Sequence, residues 1–303
     1  MMRGANFLFI FTCLLSSFFF YVADAMAQGV DEVVFRDYYR YETTFLQLLK
    51  EVQKVHPYTS MGVLKKEATS IKESTVVKVN TLPRNKKKLS SREIARRGKE
   101  SLLMICKYSS DGNAFEKVLI GASAIVLSED GVCATNYHVL EPMIDASLRL
   151  NRTDSIMFVA TESGKIYPIT SILTYNKEGD LALFKIDPTR DKLTPVAIGN
   201  DAPVGSTVHA LTNPYEFLYY YAQGVVSRNV ATDINDPFGN RMEITADYAK
   251  GSSGGAILDD TESLVGMASY TYSLYYNEQA QTGLQMVIKK AIPVSSLLRV
   301  IKR

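Results

Sequence analysis

Between Leu102 and Val287 the apolar residues fall into short strand-like runs broken by turn signals, and this texture limits the fold more than any other feature. Six runs come first: Leu102–Tyr108, Val118–Leu127, Val132–Thr135, Ile156–Ala160, Ile166–Leu173 and Leu181–Ile186. Six more follow: Thr207–Leu211, Tyr219–Ser227, Arg241–Thr245, Ala256–Leu258, Leu264–Ser269 and Leu284–Val287. Glu129-Asp-Gly131 predicts a tight hairpin turn, because Asp-Gly accepts the positive φ such turns need. Many short strands at this spacing predict an all-β barrel or sandwich.

Length and composition permit that fold without choosing it. The chain has 303 residues and 46% hydrophobic content, enough for one large or two small domains with a buried core. Its formal charge of +2 supplies no global attraction to nucleic acid. Eighteen Tyr and thirteen Phe with no Trp suit an aromatic-rich β protein.

Residues 1–27 stand apart. Arg3, the apolar stretch Phe7–Ala23 and the small residues Ala25 and Ala27 before Gln28 have the order of a secretory signal peptide. An uncleaved membrane anchor is the competing reading, since an apolar stretch of about 17 residues is at the lower limit for crossing a bilayer. Cys13 lacks the preceding small residues of a lipoprotein signal. Cys106 and Cys133 are then the mature cysteines, and their apolar surroundings favour two buried thiols over a disulfide.

The stretch before the strands reads as a helical extension and a basic linker, 28–89. Val34, Tyr38, Tyr41, Phe45, Leu48, Val52 and Val55 predict one amphipathic helix over 31–56, ended by Pro57. From Ser60 to Leu89 the pattern loosens, and Arg84-Asn-Lys-Lys-Lys88 reads as solvated linker. Ser90-Ser-Arg-Glu93 is a capping box for a short helix through Arg97. Leu297, Leu298 and Ile301 predict a terminal helix over 295–303.

Three blocks carry chemistry. Thr245-Ala-Asp-Tyr-Ala-Lys-Gly-Ser-Ser-Gly-Gly-Ala-Ile-Leu258 packs three glycines around two serines, a backbone able to aim the N–H groups of Gly251 and Ser253 at one point. Alone, such a stretch is as easily a Gly/Ser loop. Ala134-Thr-Asn-Tyr-His-Val-Leu140 sets His138 at the end of an apolar run, and Glu178-Gly-Asp-Leu-Ala-Leu-Phe-Lys-Ile186 sets Asp180 at a strand start. Together, in the order His, Asp, Ser, these blocks resemble the trypsin-like (chymotrypsin-fold) serine peptidases, in particular the bacterial branch that includes the high-temperature-requirement proteases. The resemblance runs from about residue 90 to 303 and includes no PDZ-like extension.

That resemblance implies two six-stranded Greek-key barrels, about 100–190 and 195–290, with Pro188 to Pro195 as the crossover. It implies Ser253 as nucleophile, His138 as general acid and base, Asp180 as its orienting carboxylate, and the N–H groups of Gly251 and Ser253 as oxyanion donors. By the same similarity Asp247, Ser269, Tyr270, Thr271 and Gly283 are expected to wall the pocket for the side chain before the cut, with Asp247 a candidate for selecting Arg or Lys. Ser252 carries no charge to pair with a freed N-terminus, so the oxyanion turn must be held otherwise, for instance by the Ser252 hydroxyl. His56 and His209 lack companion motifs and read as structural. The expected activity is that of an exported serine endopeptidase, periplasmic or secreted, on peptide or protein substrates. No cofactor or metal is called for, no nucleic-acid partner is expected, and no stable membrane insertion after signal cleavage. The oligomeric state is left open. A non-catalytic barrel that binds peptides is the alternative.

Overall fold

The computed structural model describes residues 33–303 apart from Arg190 and Glu216, so the signal-peptide and anchor readings of 1–27 lie outside the described residues. The chain divides into Met1–Asp37 and Tyr38–Arg303. Of the first unit, residues 33–37 are exposed and form neither helix nor strand. All that follows concerns the second.

Helices α1 (Tyr41–Val55) and α2 (Met61–Ala68) lead to a short strand β1 (Val77–Lys78) and to α3 (Ser91–Gly98). The Ser90 hydroxyl caps α3 through the Glu93 N–H, while Glu93 reaches back to the Ser90 N–H, the reciprocal box expected there. Strands β2 (Leu102–Ser110), β3 (Glu116–Val126), β4 (Val132–Thr135), β5 (Asp154–Ala160), β6 (Ile166–Asn176) and β7 (Leu181–Ile186) then close a barrel in the order β2-β3-β4-β7-β6-β5, with α4 (Tyr137–Ile144) between β4 and β5. After an edge strand β8 (Ala197–Ile198) come β9 (Thr207–Thr212), β10 (Tyr220–Val230), β11 (Arg241–Ile244), β12 (Ala256–Leu258), β13 (Ser263–Asn277) and β14 (Thr282–Pro293). Their order, β12-β9-β10-β11-β14-β13, returns on itself through β12–β13 pairing, making a second six-stranded barrel. Both barrels are as expected.

Alternating side chains explain why β2 is apolar from Leu102 to Cys106. Leu103 and Ile105 join a core with Met61 and Leu64 of α2 and with Leu140 and Met143 of α4. Leu102, Met104 and Cys106 face the other way, onto Phe45 and Leu49 of α1. A strand buried on both faces has no polar side to show. A third core, including Ile125, Ala134 and Leu183 of the first barrel and Ala256, Leu264 and Met267 of the second, joins the two. Cys106 and Cys133 are buried free thiols, in separate cores.

The extension departs from the sequence reading in three ways. The long helix begins at Tyr41, after a 3-10 turn Tyr38–Arg40, and its fully buried residues are Phe45 and Leu49. Val34 is 64% exposed, so the regular apolar spacing continued beyond the segment that has a surface to pack on. Second, 60–89 is docked along its length. Met61, Leu64 and Ala68 are buried, Arg84 pairs with Asp259 at 2.8 Å, Lys88 lies 3.6 Å from Asp260, and the Asn85 N–H donates to the Ser263 hydroxyl at 3.0 Å. The basic run meets an acidic turn that lies about 170 residues later in the chain. Third, the terminal helix α5 is only Val294–Leu298. The chain then extends as β15 (Ile301–Lys302) and pairs in parallel with β1, with the Val77 N–H donating to the Val300 carbonyl at 2.9 Å.

Candidate active site

Three residues from three different connections meet where the barrels face each other. His138 lies in the first turn of α4, just after β4; Asp180 ends the turn between β6 and β7; Ser253 lies in the glycine-rich turn before β12. His138 Nε2 is 2.8 Å from Ser253 Oγ. His138 Nδ1 is 2.9 and 3.0 Å from the two oxygens of Asp180. A carboxylate only accepts, so Nδ1 carries the proton in the neutral ring and Nε2 is left to accept from the Ser253 hydroxyl.

The carboxylate is held by more than the ring. Asp180 Oδ1 accepts the His138 backbone N–H at 3.1 Å, and Oδ2 accepts the Ser269 hydroxyl at 2.6 Å. The buried Asn136 side chain donates to the Asp180 carbonyl at 3.0 Å. Asp180 has a φ of +50°, sparsely populated for a residue with a Cβ and usually found where the surroundings enforce it.

The glycine-rich turn takes its shape from two positive φ angles. Ala249 to Ser252 form a type II turn: the Ser252 N–H donates to the Ala249 carbonyl at 3.0 Å and Gly251 has a φ of +92°. A Cβ on Gly251 would lie 2.4 Å from the Tyr215 nitrogen, so both the conformation and the close approach require glycine. Among the described residues no acceptor meets the N–H of Gly251 or of Ser253, and both donors remain available beside Ser253 Oγ. Ser252 is buried, accepts the Ala249 N–H at 3.3 Å and donates to the Thr212 hydroxyl at 3.1 Å. The turn is thus tied by the uncharged Ser252 side chain, and the Ser253 carbonyl accepts the Ser123 N–H of β3 at 2.7 Å.

The expected specificity pocket comes out differently. Ser269 joins the His138, Asp180 and Ser253 cluster through Asp180, and its carbonyl faces Ser253 Oγ at 3.4 Å. Tyr270 and Thr271 follow it on β13. Asp247, however, is turned away: its side chain is 68% exposed and pairs with Lys289 at 2.8 Å, while Tyr248 takes the buried position in the second barrel's core. An alternating stretch allows only one of two neighbours inside, and the larger apolar ring takes that place. Gly283 lies near the tip of the β13–β14 hairpin beside Tyr276, because pairing continues, past two bulges, out to Asn277 and Thr282. The residues opposite Tyr270 and Thr271 are Lys290 and Lys289. Burial and its aromatic setting push the Tyr248 phenol pKa well up.

Sequence reasoning missed Ser123 and Thr212 as supports of the cluster, and expected Ser269 only in the pocket wall. His209, read as structural, is buried between the Tyr221 hydroxyl at 2.7 Å and Asp260 at 3.1 Å. Among the described residues no group of three or more His, Cys, Asp and Glu could hold a metal ion.

Residues 122–267, which contain all three members of the cluster, match the model of the trypsin-like peptidase domain. Over those residues the chain is similar to that domain. It is 27% identical over 184 residues to Protease Do-like 5, chloroplastic, of Arabidopsis thaliana, covering 59% of this chain and 55% of that protein. It is 30% identical over 183 residues to the serine endoprotease DegS of Haemophilus influenzae, covering 60% of this chain and 50% of that one. The chain therefore spans about half the length of these curated relatives. Among solved structures, an HtrA-type protease with a tripeptide superposes with a TM-score of 0.52 at 20% identity, over 70% of this chain and 62% of that one. That likeness bears on the fold. The family match includes none of α1, α2 and β1.

Proposed function

We propose that this protein is an exported serine endopeptidase. The observation that carries the reading is the unbroken line from Asp180 through the His138 ring to Ser253 Oγ, with contacts of 2.9 and 2.8 Å, beside two unbonded amides. Ser253 Oγ attacks the scissile carbonyl carbon while His138 Nε2 takes the hydroxyl proton. The imidazolium so formed is stabilised by the Asp180 carboxylate at Nδ1. Negative charge on the former carbonyl oxygen is met by the N–H groups of Gly251 and Ser253, a term worth roughly 3–4 kcal/mol per donor in such sites. Collapse breaks the C–N bond, and the leaving amine takes the proton from His138 Nε2. Water then enters by the same route in reverse and releases the acyl group from Ser253.

The substrates are peptides or proteins, in keeping with relatives described as endoproteases. Export follows from the residues 1–27 pattern and accords with relatives described as periplasmic. Among the described residues no helix is long and apolar enough to cross a membrane.

The test is labelling of the full chain with a fluorophosphonate, mass mapping of the adduct, and cleavage of a mixed peptide library. The adduct is expected on Ser253, and Ser253→Ala should lower kcat on the order of a million-fold. A wild-type protein that takes no label and cleaves no more than Ser253→Ala would be a peptide-binding barrel instead. N-terminal sequencing of the exported protein is expected to begin at Gln28.

A further inference from the structure

The turn that carries Asp180 is gripped from outside the trypsin-like domain. Glu73 and Ser74 lie between α2 and β1, well ahead of the matched residues. Glu73 Oε1 accepts the Lys177 backbone N–H at 2.7 Å. The Ser74 N–H donates to the Tyr175 carbonyl at 2.8 Å, and the Ser74 hydroxyl accepts the Asn176 side-chain amide at 2.9 Å. Asn176 in turn accepts the Gly179 N–H with its Oδ1, and the Lys177 carbonyl accepts the Asp180 N–H at 3.1 Å. Every residue from Tyr175 to Asp180 except Glu178 is thereby tied to Glu73 or Ser74 directly or through one neighbour. Glu178 is held from the second barrel, where Arg241 donates to its carbonyl at 2.8 Å.

Two strained residues sit at the ends of this network. Ser74 has a φ of +59° and Asp180 of +50°. Such conformations cost about 1–3 kcal/mol each and last only where neighbours over-determine them. The same segment also braces the histidine. Lys65 of α2 donates to the carbonyls of Pro142 and Asp145 at the end of α4, at 3.0 and 2.5 Å, and Leu64 packs in one core with Tyr137, the residue before His138.

We propose that Glu73 and Ser74 are positioning residues of the proton relay: they hold the Lys177–Asp180 turn so that the Asp180 carboxylate meets His138 Nδ1. The proposal rests on the triad reading above. Without the clamp the turn relaxes toward negative φ and swings the carboxylate off the ring. A neighbouring carboxylate favours the imidazolium, so its displacement weakens the stabilisation of the charged ring that forms in the reaction.

The experiment uses the full chain and three variants, Glu73→Ala, Glu73→Gln and Ser74→Ala. Glu73 is exposed, and the Glu73 variants are expected to fold. Glu73→Ala and Ser74→Ala should lower kcat about tenfold with KM unchanged, and should move the acid limb of kcat/KM to lower pH. Glu73→Gln keeps an Oε1 acceptor for the Lys177 N–H and should restore both. The Nδ1–H hydrogen bond of His138 is read in parallel by proton NMR, which three histidines in the whole chain make assignable. Its downfield signal should move upfield or vanish in Glu73→Ala whether or not a good substrate is in hand. An unchanged pH profile and His138 Nδ1–H signal in Glu73→Ala, even with a lowered melting temperature, would reduce these residues to structural ones and overturn the proposal. Equal damage in Glu73→Gln and Glu73→Ala would do the same. Failure of the functional reading looks different: the wild type itself takes no fluorophosphonate at Ser253.

Discussion

Replacing Gly254 with alanine tests how closely the catalytic turn is built into the first barrel. Gly254 has a φ of +81°, and a Cβ there would lie 2.1 Å from the Ser123 carbonyl oxygen and 2.4 Å from the Thr135 hydroxyl. The nearest tolerable contact is 3.0 Å, so strand β3 and the serine turn must separate by about 0.9 Å (3.0 − 2.1). One bond lies across that gap, the Ser123 N–H to the Ser253 carbonyl at 2.7 Å, and the Thr135 hydroxyl that the new Cβ displaces loses its own bond to the Ser123 carbonyl at 2.8 Å. Each is worth about 1 kcal/mol net, and the left-handed backbone adds about 1–2 kcal/mol for a residue with a Cβ. The expected loss is therefore about 3–4 kcal/mol, a large share of the roughly 5–15 kcal/mol that holds a domain together. Gly164→Ala is the control. Gly164 has a φ of +90° but nothing within 4 Å of its Cβ position, so only the backbone term applies. The change to the unfolded chain is common to both variants and cancels. Urea denaturation should separate them by about 2 kcal/mol. The rate of fluorophosphonate labelling should drop about a hundredfold in Gly254→Ala, as expected when a nucleophile shifts by about 1 Å, and stay near wild type in Gly164→Ala. Equal midpoints and equal labelling rates for the two variants would refute the reasoning.

Three further predictions follow from the packing. A chain beginning at Leu89 loses Phe45, Leu49, Met61 and Leu64, all at most 1% exposed, each contributing about 1.5–3 kcal/mol of burial; circular dichroism should show it unfolded or molten, and a folded, fully active product would show the extension to be dispensable. The carboxyl of Glu243 is held below its ordinary pKa by the bidentate Arg228 guanidinium at 2.7 and 2.9 Å, and Lys290 lies 3.7 Å away. A depressed folded pKa contributes stability above the unfolded pKa of about 4.3 and loses it as pH falls through the folded value, so the melting temperatures of wild type and Glu243→Gln should differ at pH 7 and converge toward pH 3. Burial pushes the thiols of Cys106 and Cys133 up, so both should ignore a thiol reagent in the native protein and react fully in guanidinium, and two fast native equivalents would place them elsewhere.

Some of this protein was decided by residues close in the chain. Period-two burial and turn chemistry are local, so all twelve barrel strands could be placed from their own residues. The Ser90 capping box spans four residues and formed as read. The His138, Asp180 and Ser253 blocks could be picked out because each sits in a short glycine- or polar-marked stretch at a strand end, although a motif alone says nothing of the distances between them. Other features depended on partners far away in the chain. Glu73 and Lys177 are 104 residues apart, and Lys65 and Asp145 are 80 apart, so nothing in 60–89 signalled that it would clamp a turn and cap a helix. The last residues had a helical apolar spacing, yet β1 offered them backbone donors and acceptors, and Ile301 to Lys302 became a strand. Asp247 and Gly283 were placed by similarity in the sequence reading, whereas where they face depends on register, a property of strand pairing. How far the β13–β14 hairpin pairs before it turns sets which residues face Tyr270. That length is fixed by cross-strand bonds, which a linear pattern does not contain.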